Sequence, residues 1–511
     1  MNDPRFHRTK RVAMPAPSHR RGLIVAALAM LSWPLWWVSA GPTHNEEVLE
    51  AMRRASHFMM SDVSNRGGFL SLYTADLGEQ WGELPARKSM IWVQDPGTVS
   101  VARMHLDAFK ATGDEAYLDY AKRGADALIW GQHPSGGWHY FIDFDPGGVP
   151  EWYEQVASKC WGWEEFYHYH GNCTFDDNVT VGAAEFLLEL YTTTKGPAYR
   201  EPLLKALGFI LDAQYPSGGW PQRYPPAPAH PPEGKPDYTS FYTFNDDVIT
   251  SNIYFLLKAH ERLGNGEYRD AAIRGMNFVA AAQLAPPQAG WAQQYDLDMN
   301  PRGARSCEPR GLSPPITASS IHHLMSFYRI TGDRRYLKGI PDALTWLDEA
   351  VLPPGHSDEG HTHAFFVEMG TNRPLYAHRE GATMSTGRYW TDYEPVNILP
   401  GYGYRVRMNP SWFRAEYERV SALSPEAALA EYRAKRDAAP PAPHVSWESV
   451  RAVIDALDER GAWVEDLSLL DYGNYIENPK REFRGISTKS YVDNMHVLIA
   501  HMRMSNNPER L

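Results

Sequence analysis

Up to residue 350 the chain alternates amphipathic stretches with short polar or glycine-rich breaks. Val179, Ala183, Phe186, Leu187 and Leu190 fall three and four apart, the spacing of a helix with one buried face. Helices are expected in pairs. One ends near Thr112-Gly113-Asp114 and a second begins at Tyr117, and the same join recurs at residues 191–199, 259–268 and 327–336. A shared turn follows each pair. Gln132-His-Pro-Ser-Gly-Gly-Trp138 returns as Gln214-Tyr-Pro-Ser-Gly-Gly-Trp220, with a looser copy from Gln283 to Trp291 and an earlier relative at Asn65-Arg-Gly-Gly-Phe69. Four such copies predict an all-α fold, an (α/α) toroid of repeated helix pairs whose long loops form a cleft at one end. A solenoid is the alternative for stacked helix pairs, but units of about 70 residues exceed the usual solenoid period.

Beyond residue 350 the periodicity weakens. Residues 356–404 are dense in charge and aromatic rings, 413–436 read as a polar helix, and 438–443 as an Ala/Pro linker. The expected organisation is an export signal at 1–40, the toroid at 41–410 and a helical tail at 411–511. Gly461-Ala462-Trp463 marks that tail as either a degenerate final repeat or a packed extension.

The N-terminus and charge narrow the setting. Arg20 and Arg21 precede an apolar run at 23–38, and Val38-Ser39-Ala40 offers a cleavage point, the pattern of a secretory signal. The alternative, an uncleaved anchor, meets a run shorter than the ~20 residues that span a bilayer. The expected protein is soluble, secreted or periplasmic, and a monomer. The signal carries six Lys/Arg against one Asp, so its removal takes the formal charge from −12 to −17. Such a surface argues against nucleic acid. It also repels a polyanion unless cations are gathered locally. The cysteines are Cys160, Cys173 and Cys307, with Cys160–Cys173 the natural candidate for a disulfide. Aromatic residues make up 13% of the chain, a composition shared by sugar-binding clefts and by Trp-rich cores.

Two acidic stretches stand where helices should begin: Thr-Phe-Asp-Asp-Asn-Val-Thr-Val at 174–181 and Thr-Phe-Asn-Asp-Asp-Val-Ile-Thr at 243–250. Asp and Asn are favoured N-caps. Aligned repeats put Asp177 opposite Asp246 and Asn178 opposite Asp247, with Asp95-Pro96 and Pro314 in the outer copies, so clustered acids are not needed to start the helix. Within the second stretch, Asn245 or Asp247 could serve as the cap. The surplus carboxylates suit a hard cation with oxygen ligands or the acid and base of a glycosidase, and spacing does not separate these. Arg302, Arg305 and Arg310 flank Glu308, while Arg373, Arg379 and Arg388 fall in the irregular stretch. Such arginines can hold carboxylates bidentately, or are simply solvated. The pair His322 and His323 reads as a helix-face pair, and His361 with His363 as a weak metal candidate.

Six motifs in order carry a resemblance: Thr-Phe-Asp176-Asp-Asn, Gly218-Gly-Trp220-Pro-Gln-Arg-Tyr-Pro225, Phe244-Asn-Asp246-Asp247, Trp291-Ala-Gln-Gln-Tyr-Asp296, Ala304-Arg305-x-x-Glu308 and Gly370-Thr-Asn-Arg373-Pro374. Over roughly residues 120–380 the chain resembles the family 10 polysaccharide lyases, the pectic acid lyase family. The resemblance implies an (α/α) toroid that cleaves polygalacturonate or a related polyuronate by β-elimination with Ca2+. It implies Arg305 as the base that takes the C5 proton, Asp246 and Asp176 as metal ligands, and Arg373 as a ligand of a uronate carboxylate. Trp220 and Asp247 join Arg373 as expected substrate-binding positions. The chain departs from the family at Asp177, where Asn is usual, and at residues 306–313 beside Arg305. Residues 79–83 and the tail beyond 405 also look unlike compact members. Rival readings are a hydrolase using Asp176 and Asp246, a binding toroid whose lyase site has decayed, and a terpene cyclase suggested by Gln132 to Trp138.

Overall fold

The computed structural model describes residues 44–157, 166, 168–227, 237–305, 307–357, 360–380, 388–396, 398, 404–438, 444–469 and 481–505, excepting the side chains at 379 and 388. The export segment, Cys160 and most of the 438–443 linker lie outside the described residues, as do those two arginine side chains.

The described α-helices are α1 (His44–Phe58), α2 (Thr98–Thr112), α3 (Glu115–Trp130), α4 (Val149–Gln155), α5 (Val179–Thr194), α6 (Pro197–Asp212), α7 (Val248–Leu263), α8 (Gly266–Ala281), α9 (Pro314–Thr331), α10 (Ile340–Glu349), α11 (Pro410–Ser421), α12 (Pro425–Asp437), α13 (Trp447–Asp455) and α14 (Thr488–Ser505). The joins between paired helices follow from their sequence. Gly113, Gly264 and Gly332 end α2, α7 and α9 in the left-handed conformation (φ +73°, +76° and +72°). After two of these glycines, Asp114 and Asp333 accept backbone N–H groups of the turn that follows; after Gly264, Asn265 does the same for Glu267.

The pairs follow one another around an (α/α) toroid. α2 packs on α3 and α5, α5 on α6 and α7, α7 on α8, and α8 on α9. The Gly-Gly-Trp turns explain this succession. Gly67, Gly136 and Gly218 have φ of +90°, +115° and +105°, and a Cβ on them would lie 2.6, 2.3 and 2.3 Å from the carbonyl oxygens of Arg123, Lys205 and Arg274. Each turn therefore sits flush on a helix of the next repeat, as only glycine permits. Gln132, Gln214 and Gln283 reinforce the contact by donating to Pro202 O, Ala271 O and Gly339 O. The closing tryptophans are core residues: Trp138, Trp220 and Trp291 are fully buried, and their indole N–H groups are donated to Leu128 O, Ile210 O and Val279 O.

The tail is built by the same rule. Trp463 donates to Val453 O, ten residues back as in the first two Trp turns, and a Cβ on Gly461 (φ +91°) would lie 2.6 Å from Arg54 O in α1. α14 packs on α1, α2 and α13, and strand Glu482–Ser487 pairs antiparallel with Leu72–Thr74. The tail therefore packs against the first helices and extends the first repeat's sheet. Among the described residues no helix is long and apolar enough to cross a membrane.

Short antiparallel ladders connect the repeats. Thr174 pairs with Arg223 and Thr243 with Gln294, which lays the residues just after each closing Trp beside an acidic turn. The stretch at 356–404 is β-structure: Phe366–Val367, Pro374–Glu380 and Arg388–Asp392 form one sheet. Its buried side chains, Phe366, Leu375, Tyr376 and Ala377, enclose Cys307 together with Tyr404.

Candidate active site

The two acidic stretches are not caps. Each makes one 3-10 turn, Asp176–Asn178 and Asn245–Asp247, and these two turns pack against each other. Asp177 and Asn178 have φ of +46° and +61°, and Asp246 and Asp247 have +50° and +56°. Asp and Asn tolerate this region better than other side chains, yet two in succession store backbone strain, a feature concentrated at functional sites. Neither Asn178 nor Asp247, the residues before α5 and α7, makes a side-chain cap hydrogen bond. Asn245 does not cap either; its amide is bound within the site. The matching backbone makes Asp176 the equivalent of Asn245, and Asp177 that of Asp246.

Asp176 is fully buried. Its Oδ2 accepts the Tyr140 hydroxyl at 2.6 Å, while Oδ1 is buried with no hydrogen-bond partner among the described residues. Arg223, also buried, lies over the Tyr140 ring at 5.3 Å. Asp246 sits higher, with its side chain 34% exposed. Its pKa is raised well above the usual carboxylate range, first by lost hydration, then by the charges of Asp176 and Asp177; Arg305 opposes the shift and Glu308 adds to it. With a third of the side chain still in solvent, the hydration loss is partial and carboxylate crowding is the firmer cause. Asp177 is tied to the first repeat: Gln94 Nε2 donates to Asp177 Oδ2 at 2.6 Å and to Glu83 Oε1 at 3.0 Å, while Gln94 Oε1 accepts from the Trp92 indole. The unusual 79–83 segment therefore reaches the site.

Arg305 is 6% and Glu308 4% exposed. Arg305 Nε and Nη2 each donate to a Glu308 oxygen at 2.9 Å, and Nη2 stands 3.7 Å from Asp246 Oδ2. Asn245 Nδ2 lies 2.7 Å from Asp246 Oδ2 and 3.5 Å from Glu308 Oε1, while its Oδ1 accepts from Gln294 at 2.5 Å. The structure thus gathers Asp176, Asp246 and Arg305. Asp247 is exposed on the same turn as Asp246. Arg373 is an exposed guanidinium 3.4 Å from the centroid of the Tyr393 ring. Trp220 is corrected: an indole with no exposed face and its N–H donated to Ile210 O offers nothing to a substrate.

The other candidates fall away from this centre. Cys173 is a free buried thiol, which corrects the disulfide expectation, and burial pushes its pKa up to about 11. His363 is buried and bonded to Leu347 O and Thr362 Oγ1, and His323 to Tyr254. Sequence reasoning missed Gln94, Tyr140 and Asn245 as site residues and gave Glu308 no role. The closing Trp was a usable signal for Tyr140: Tyr140, Gln222 and Gln293 all stand two positions after it.

The donor set suits a hard cation in part. Asp176 Oδ1 is a buried oxygen awaiting a partner, and Asp246 supplies a second carboxylate. Among the described residues, however, no group of three or more His, Cys, Asp or Glu could hold a metal alone. A cation here needs further oxygens from water and substrate.

The helical toroid thus brings two acidic turns and a buried arginine–glutamate pair to one site. The pectic acid lyase profile matches residues 150–407, just over half the chain, and the chain belongs to that family of polysaccharide lyases. A search of curated proteins finds no match. Among solved structures, a family 10 polysaccharide lyase from Cellvibrio cellulosa is 18% identical with a TM-score of 0.42, covering 64% of this chain and 98% of its own. A mutant of that enzyme in complex with trigalacturonic acid is 17% identical with a TM-score of 0.42, covering 62% and 98%. Cellobiose 2-epimerase from Spirochaeta thermophila is 13% identical with the same TM-score, covering 92% and 99%.

Proposed function

We propose that the protein cleaves polygalacturonate or a related polyuronate by β-elimination, with Asp176 and Asp246 as the residues that would hold calcium and Arg305 as the proton acceptor. The observation that carries this reading is Arg305 standing 3.7 Å from Asp246, on a turn packed against the one that holds the unpartnered Asp176 Oδ1. Family membership favours the same reaction class, and the trigalacturonic acid complex of a distant relative favours an acidic glycan. The reading includes export, on the strength of residues 1–40 alone.

Bound calcium would neutralise a uronate carboxylate and so acidify the adjacent C5–H. Arg305, once it has given one guanidinium proton to solvent under the influence of the cation and substrate beside it, takes the C5 proton; the C–H electron pair forms the C4–C5 double bond as the C4–O glycosidic bond breaks. The departing oxygen takes its proton from water. Arg373, supported on Tyr393, binds a second carboxylate of the polymer, and Asp247 meets the sugar hydroxyls.

Incubation with polygalacturonate and calcium, followed by ultraviolet absorbance of the unsaturated product, tests the proposal. Absorbance should grow, stop on chelation, and fall at least about 1,000-fold in Arg305→Ala. New reducing ends without absorbance would establish hydrolysis instead, and binding without turnover on any polyuronate a binding toroid.

A further inference from the structure

We propose that Trp130, Phe144 and Arg66 form a second polymer-binding site beside the cleft, where the Trp130 indole stacks on a uronate ring and Arg66 takes its carboxylate. The choice of an acidic ligand rests on the lyase reading above. Trp130 is the last residue of α3 and is 51% exposed. A single exposed ring would need no explanation, but this one has company. Phe144 stands 4.7 Å away, centroid to centroid, and the Arg66 guanidinium lies 4.6 Å from the Phe144 centroid and 5.8 Å from that of Trp130. Arg66 is exposed and makes no hydrogen bond or ion pair among the described residues. A guanidinium held over aromatic rings keeps its N–H edge for a carboxylate.

The other repeats act as controls. Asp212 and Ala281 occupy the place of Trp130, two residues before Gln214 and Gln283, so ending the helix does not call for an indole. Arg66 precedes Gly67 as Ser135 and Ser217 precede Gly136 and Gly218, but it alone of the three has a left-handed backbone, with φ +53°. That conformation is costly for a long side chain and is retained mostly at functional sites. In the tail, Arg460 precedes Gly461 in the same way, yet it pairs with Asp458 at 2.9 Å and lies over the buried Phe58 ring. An arginine that only braces its turn has that arrangement, and Arg66 does not. The acids nearby are answered. Asp143 and Asp145, which flank Phe144, accept from Arg87 at 2.5 and 2.6 Å. On α3, Asp126 is matched by exposed Arg123, which lies against Gly67. Arg66 is the surplus charge, in a chain whose net charge is −12.

The platform stands at the cleft end of the toroid. Trp138, eight residues beyond Trp130, accepts the N–H of Thr174 at 2.9 Å, just before the first acidic turn, and Tyr140 reaches Asp176. From Tyr140 the strand Phe141–Asp143 leads to Phe144, a span of about 13 Å at the rise of an extended chain. One polymer chain can therefore occupy both places.

Affinity electrophoresis of the full chain through gels containing polygalacturonate tests this, with Arg305→Ala as the parent so that the polymer is not consumed. Trp130→Ala should raise the dissociation constant about tenfold and Arg66→Ser about fivefold, while Trp130→Phe keeps most of the affinity. Added salt should narrow the gap between Arg66→Ser and the parent. Gels containing neutral galactan should retard neither. No retardation of the parent, equal retardation of the parent and both variants, or equal retardation by neutral galactan overturns the inference. The absorbance assay on the wild-type chain is read separately. A chain held through Trp130 that forms no unsaturated product retires the lyase reading and leaves this site standing.

Discussion

Single residues here do work that their type alone does not reveal. Asp176 and Asp177 are neighbours in sequence, yet one is sealed against Tyr140 and the other reaches outward to Gln94. The left-handed backbone at Asp177 separates them. His105 is a residue-scale case with a measurable consequence. It is 1% exposed; Tyr491 donates its hydroxyl hydrogen to Ser56, so His105 Nε2 must donate to the Tyr491 oxygen, and Nδ1 is buried with no partner among the described residues. Burial pushes the His105 pKa down to about 3. A base whose folded pKa is depressed contributes stability that is complete above the unfolded value of about 6.5 and is lost as pH falls from there toward 3. Between pH 7 and pH 5 this one residue should cost about 2 kcal/mol. Denaturant unfolding at both pH values should give a drop smaller by that amount in His105→Asn. An unchanged drop would mean that the imidazole takes up its proton in the folded state.

At the scale of elements, the turn matters more than the helix it follows. Gly218→Ala should destabilise by about 3 kcal/mol or more, since it adds a Cβ at φ +105° and 2.3 Å from Arg274 O. Thermal unfolding would register this as a lowered midpoint, whereas Gly208→Ala, with nothing within 4 Å of its added Cβ, should leave the midpoint unchanged or raise it. The turns were legible in the sequence because a Gly-Gly-Trp signature, exact at residues 136–138 and 218–220 and looser elsewhere, returns at the joints, and the helix pairs because their stripes and Gly-Asp joins are local. The core of the site was partly legible for the same reason: Asp176, Asp246 and Arg305 stand in short motifs. What could not be read is pairing across repeats. Nothing near Tyr140 in sequence announces Asp176, and nothing near Gln94 announces Asp177, because those contacts form only when the toroid brings separate turns together. Trp220 was misassigned because composition cannot distinguish a tryptophan that stacks on sugar from one that plugs a turn.

For the whole molecule, closure decides whether the site exists at all. The acidic turns and the Arg305 loop belong to the second, third and fourth repeats, but their relative placement depends on helices held in a ring. That ring draws on the last hundred residues. Tyr491, Met495, Leu498 and Ile499 of α14 are each at most 1% exposed against α1 and α2, and strand Glu482–Ser487 completes a sheet begun by Leu72–Thr74. Burial of a large apolar side chain contributes about 1.5–3 kcal/mol, while a whole domain is stable by only about 5–15 kcal/mol. Losing these four, and uncovering the faces they protect, is comparable with the entire net stability. A chain ending at residue 445 should therefore show no cooperative thermal transition and no turnover, even though every residue assigned to the reaction is retained. An appendage would behave differently: its removal would leave the transition and the polygalacturonate activity near those of the full chain. Circular dichroism melts of the two lengths, read beside the absorbance assay, distinguish a closing repeat from a passenger.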